Sequence, residues 1–193
     1  MSLEELIAQA DERGLAVSGV ACLDRCVPLL GGDDEALRPL WGALAGGPAD
    51  GDWGEVLQQT REKLDAAAGE AADGCADGCA DEAAALARGM LAAAPADRTG
   101  DALREWADGC SADALRIHLL LDGAGGADLA AARREGRTDG LSPLLAAELR
   151  RQTAVLELVA AHGAAGLRSA LEVSTEGRRV LRAAVSRRSR RDG

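Results

Sequence analysis

The sequence predicts an all-α protein, an antiparallel bundle of about seven to nine helices with no sheet. Three observations carry that expectation. Ala and Leu, both strong helix formers, are the commonest residues, at 42 and 28 of 193. Val, Ile and Thr together number only 16 and Phe and Tyr are absent, so a β-sandwich or barrel lacks its building material. Leu recurs at helical spacing along most of the chain, which also argues against disorder.

The elements follow from caps and stripes. Ser2-Leu3-Glu4-Glu5 fits a capping box and opens a helix expected to run to about Arg13 and stop at Gly14. Leu15 to Leu30 follows, apolar all round except for a strip of Ala21, Asp24 and Arg25, so it is expected at the centre of the bundle, loosening at Pro28. Asp33 is the expected cap of a helix with Leu37, Leu40, Trp41 and Leu44. Asp52-Trp53-Gly54-Glu55 opens the next, and the Ala/Gly/Asp-rich stretch 66–81 reads as a possible flexible segment. Leu86, Met90 and Leu91 mark a helix ending before Pro95. Asp101 is expected to start a helix with Leu103 and Trp106, and Ser111 to cap a further one at Leu115 to Leu121. Gly123 to Gly126 is a break. Ser142-Pro143 opens the longest expected helix, closed by Gly163. Two short pieces end the chain, around Gly166 to Val173 and from Ser174 onward.

Charge divides the chain into an expected acidic bundle, 1–172, and a basic helix with a frayed tail, 173–193. Residues 1–131 carry a net −16 and residues 132–193 a net +6, within a total of −10. An acidic body repels nucleic acid and membrane surfaces, so no membrane is expected as a partner and nucleic acid only through weak, salt-sensitive contact. The seven arginines Arg178, Arg179, Arg182, Arg187, Arg188, Arg190 and Arg191 are the only candidates for polyanion binding. Two destinations compete for them: the protein's own acidic body or an external polyanion.

The opening Met1-Ser2-Leu3-Glu4-Glu5 is acidic where a secretory leader is basic, which predicts a cytoplasmic protein. Five Cys are then expected as thiols rather than a disulfide framework. The single Lys beside 21 Arg, with abundant Ala and Gly, fits GC-rich bacterial coding.

Candidate chemistry is sparse. Cys22/Cys26 and Cys75/Cys79 are Cys-x-x-x-Cys pairs, which on facing helices place four thiolates around one zinc or another thiophilic metal. Against that reading, both pairs continue apolar stripes, where Cys behaves as a small hydrophobe. Asp73, Asp77 and Asp81 recur opposite the second pair and read as a solvated face. His118 and His162 lack a carboxylate three or four residues earlier, so the di-iron pattern is absent. His162 suits a helix C-terminus. No nucleophile-elbow, phosphate-loop or dinucleotide fingerprint occurs.

The expected function is therefore non-enzymatic: a helical binding or regulatory protein acting through a protein partner or as a homo-oligomer, with no cofactor. Trp41, Trp53 and Trp106 are the candidate contact residues because large aromatics dominate hot spots. In a core without Phe or Tyr they are the only bulky space-fillers, and that is the stronger reading. A thiolate metal or redox protein is the alternative, and a nucleic-acid-associated protein the third reading.

Overall fold

The computed structural model describes the chain except for residues 47–51, 72–77, 124–125 and 191–193 and the side chains of 68–71 and 78–80. The described residues form nine α-helices and no strand. In order they are α1 (Leu3–Gln9), α2 (Glu12–Cys26), α3 (Arg38–Ala45), α4 (Trp53–Ala71), α5 (Gly78–Ala92), α6 (Gly100–Asp122), α7 (Leu129–Glu135), α8 (Pro143–His162) and α9 (Leu167–Ser189).

The caps read from the sequence set several helix ends. Ser2 and Glu5 form the reciprocal capping box of α1, with Ser2 N–H donating to Glu5 Oε2 at 2.8 Å. Ser142 caps α8 with Pro143 in its first turn, and Gly163, at φ +55°, closes it. Asp52 Oδ1 accepts from the Gly54 and Glu55 amides at the start of α4.

Other boundaries differ. The first helix ends at Gln9, because Asp11 accepts from the Gly14 amide at 2.7 Å and starts α2 at Glu12. Gly14 thus lies inside a first turn instead of ending a helix. Asp33 accepts from the Glu35 amide in a turn, and α3 begins later, at Arg38. The short α7, capped by Asp128, was not marked by the Leu pattern. Most consequential are Ser111 and Ser174. Both read as caps, and both lie fully buried in the middle of single 23-residue helices, α6 and α9. The expected division at 172/173 falls inside α9.

Helix α2 is the axle of the molecule. Every residue from Gly14 to Cys26 is buried, and α3, α5, α6, α8 and α9 pack around it. Its apolar surface, with Leu15, Val20 and Leu23 sealed from water, is what the sequence pattern anticipated. Asp24 and Arg25 were not expected inside, yet they are 1 % and 0 % exposed. The run Pro143–Ser189 reaches a mean hydropathy of 1.2 over 18 residues, a composition shared by membrane spans and core helices. It also carries the buried Glu148, Gln152, Ser174 and Arg178.

Candidate functional site

Four helices bring polar side chains together inside the bundle. Arg25 (α2) and Glu148 (α8), both 0 % exposed, form a forked ion pair: Nε donates to Oε2 at 2.9 Å and Nη2 to Oε1 at 2.7 Å. Arg25 Nη2 also donates to Cys22 Sγ at 3.3 Å, and Nη1 reaches Ser174 Oγ of α9 at 3.5 Å. Gln152, one turn after Glu148, donates to Glu148 Oε1 at 2.9 Å. Its own carbonyl accepts from Ser111 Oγ of α6 at 2.7 Å. The close approach of α9 depends on Gly177, where a Cβ would stand 2.3 Å from Arg25 Cδ. This knot ties α2, α6, α8 and α9 together, and Arg25, Glu148, Ser111, Ser174 and Gln152 are all buried.

His118 of α6 borders the knot, also at 0 % exposure. Its Nδ1 lies 2.7 Å from the Ala114 carbonyl oxygen and must donate to it. Nε2 then faces Glu148 Oε2 at 3.5 Å without a hydrogen bond. Burial holds the imidazole pKa below its usual value, and the nearby carboxylate offsets this only in part. The unfolded chain therefore binds a proton at pH values where the folded one does not, so stability falls as pH drops through the histidine range. Glu148, pulled below the usual carboxylate range by Arg25 despite burial, adds a loss at lower pH. Asp24 acts oppositely: burial raises its pKa from 3.8 to about 6, so it costs stability as pH rises through that interval. Urea unfolding between about pH 7 and pH 5 is expected to show a shallower acid-side loss for His118→Leu than for the wild type. Equal slopes would remove His118 as the cause.

The thiols belong to the same interior. Cys22, Cys26 and Cys110 are free and buried. Burial raises Cys22 to about 11, and Cys26 and Cys110 well above the normal thiol value. Since the thiolate is the reactive form, all three are expected to react slowly with a thiol reagent until the protein unfolds. Rapid labelling of Cys22 or Cys26 in the native state would show an opening that the fold does not display, whereas Cys110 borders the cleft between α5 and α6. Cys110, not singled out by spacing, lies near enough to Cys22 and Cys26 for their charges to act on it. Cys75, Asp73 and Asp77 lie outside the described residues, as does the Cys79 side chain. Among the described residues no three His, Cys, Asp or Glu side chains are arranged to hold a metal.

The tryptophans are in the core. Trp41 and Trp53 are 6 % exposed and Trp106 4 %. Trp53 Nε1 donates to the Pro95 carbonyl and Trp106 Nε1 to the Met90 carbonyl, at 2.8 and 2.9 Å, and their rings meet edge to face at 6.2 Å. Of the arginines, Arg178 is 6 % exposed and donates to Asp24 Oδ1 at 2.8 Å, and Arg182 pairs with Asp34. Those two arginines therefore reach the protein's own acidic body. Arg179 and Arg187 are exposed on α9 and Arg190 just past its end, Arg188 is half-buried against the end of α6, and Arg191 lies outside the described residues.

Two of the surface clefts adjoin residues already described. One, of about 420 Å³, runs between α5 and α6 over Met90, Pro95 and Trp106, rimmed by Glu105 and Asp113. Burial raises the Asp113 pKa. The other, about 250 Å³, opens between α3 and α9 and reaches down to Asp24 and Trp41. The chain matches no known family, curated protein or solved structure.

Proposed function

We propose that the protein is a non-enzymatic helical binding protein that docks a basic, amphipathic segment of a partner protein in the α5/α6 cleft. The supporting observation is the cleft itself: an apolar floor beneath Glu105 and Asp113, neither of which has an ion-pair partner among the described residues. The net −16 of residues 1–131 steers a basic segment toward this side. Gly89 and Gly109 support the reading. Each sits inside a helix, where Gly costs about 1 kcal/mol relative to Ala. A Cβ at either would meet nothing within 4 Å, so no packing requirement explains them, and they keep the cleft wide. Of the groups best suited to catalysis, His118, Glu148, Cys22 and Cys26 are buried inside the bundle, and Cys110, which borders the cleft, is 1 % exposed.

The probe is a synthetic helix with Leu on one face and Arg on the other, titrated against the whole chain and followed by Trp106 fluorescence. Glu105→Arg with Asp113→Arg is expected to weaken binding about tenfold, as is Gly89→Leu with Gly109→Leu. The leucine variant should also melt above the wild type, by about 1 kcal/mol or more in total, because Leu is the better helix former. A peptide with Glu in place of Arg should not bind. Unchanged affinity in the leucine variant would overturn the proposal. So would sedimentation showing that the cleft substitutions abolish self-association, which would make the occupant a second copy of the chain.

A further inference from the structure

Glu105, Gly109 and Asp113 follow one another at every fourth residue of α6 and form a single row along the wall of the α5/α6 cleft. Eight residues of helix rise about 12 Å, which separates the two carboxylate positions and puts Gly109 at their midpoint. Asp101 begins the same row but is paired with Arg104. Arg116, one turn beyond Asp113, is paired with Glu82 at 2.7 Å. The row therefore carries two carboxylates without an ion-pair partner among the described residues. Between them, a Cβ on Gly109 would meet nothing within 4 Å. The facing wall is equally bare. Gly89 adjoins the Met90 residue whose carbonyl accepts from Trp106, and a Cβ on it would also meet nothing.

These spacings constrain the segment that docks. Rows of every fourth residue are the ridges along which helices most often pack against one another. A partner helix packed in that way has the same rise, so cations meeting Glu105 and Asp113 are themselves eight residues apart. The residue midway between them faces Gly109. It must be large and apolar, because a space left unfilled above Met90 and Trp106 forfeits its contacts. The chain's own α9 lacks such a residue: Arg179 and Arg187 are exposed and eight apart, but Ala183 stands between them. We infer that the docking segment is a helix with two arginines eight residues apart around a central leucine, the leucine over Gly109 and the arginines on Glu105 and Asp113. This register rests on the proposed docking of a basic segment in the cleft. Its two ends differ in depth, since Asp113 is half-buried and Glu105 exposed. The Asp113 end should contribute more, because ion pairs at exposed positions are weakened by water and salt.

The test is calorimetry of the whole chain with three helical peptides of otherwise equal sequence. The first has leucine at its centre and an arginine four residues to either side. The second moves both arginines to two residues from the leucine, on the opposite face. The third replaces the central leucine with alanine. The first is expected to bind, and the other two about tenfold more weakly. Asp113→Asn should weaken the first peptide about fivefold and Glu105→Gln about twofold. Gly109→Leu should remove the preference for leucine over alanine at the centre, and the wild-type series stands even if that variant fails to fold. Equal binding of the first two peptides would overturn the register while leaving the docking of a basic segment in place. The same follows if the first fails to bind and a helix with arginine along its whole polar face succeeds. If neither binds, both fall. An alanine-centred peptide as tight as the leucine-centred one, in a chain that sediments as a dimer, would make a second copy's α9 the occupant and overturn the inference.

Discussion

Glu148→Ala is expected to destabilise the protein by about 3–5 kcal/mol, because it strands a buried guanidinium. Arg25 would lose its forked partner at 0 % exposure, with only Cys22 Sγ and Ser174 Oγ left as acceptors. Gln152 would lose an acceptor as well. Removing both charges is a different matter. Arg25→Met with Glu148→Leu keeps most of the volume and leaves no uncompensated ion, so the double variant should recover most of the loss. Denaturant midpoints of the single and double variants check this. A loss below about 1 kcal/mol for Glu148→Ala would mean that water reaches Arg25. If the double variant matches the wild type in stability, the ion pair contributes mainly by selecting one arrangement of the four helices.

Gly19→Ala should carry the second large penalty, about 1–3 kcal/mol, from a single added methyl group. A Cβ there would stand 2.4 to 2.7 Å from three atoms of the Trp106 ring. The ring has little freedom to retreat. Its Nε1 is held by the Met90 carbonyl, and its edge meets Trp53. In an isolated helix the same substitution is stabilising by roughly 1 kcal/mol, so the sign of the effect reports tertiary packing alone. Shortening the ring partner, in Gly19→Ala with Trp106→Leu, should cost less than the two single changes added together. Thermal melts of the three variants decide it. The contrast with Gly89 and Gly109, where a Cβ meets open space, makes glycines on neighbouring helices respond in opposite directions.

Much of the helical framework was readable in the residues because its signals are local. Ser2 with Glu5 and Ser142 with the Leu145 amide are partners three residues apart. Gly163 needs only its own backbone to end α8. The all-apolar character of Leu15 to Leu30 pointed to a central helix, and α2 is one. Ser111 and Ser174 carry the same local signature as true caps, and the pattern offered no means of telling them apart. What separates them is a partner far along the chain: Gln152 for Ser111, 41 residues away, and Arg25 for Ser174, 149 residues away. The signal that did exist was the Asp24-Arg25 strip on an otherwise apolar helix. Two charges on a helix destined for the centre require buried partners, and Glu148 and Arg178 supply them.

Composition, caps and helical periodicity were enough to specify an all-α fold with α2 at its middle, since each acts over a few residues and depends on no distant neighbour. The clefts and the polar knot were settled only by packing. Glu148 meets Arg25 across 123 residues and Asp24 meets Arg178 across 154, so neither pair leaves a trace in local spacing. Likewise, no sequence pattern distinguishes Gly19, pressed against an indole, from Gly109, facing open space. Charge pairing and steric contact depend on distance in three dimensions, and in this chain the helices that bring these groups together are far apart in order.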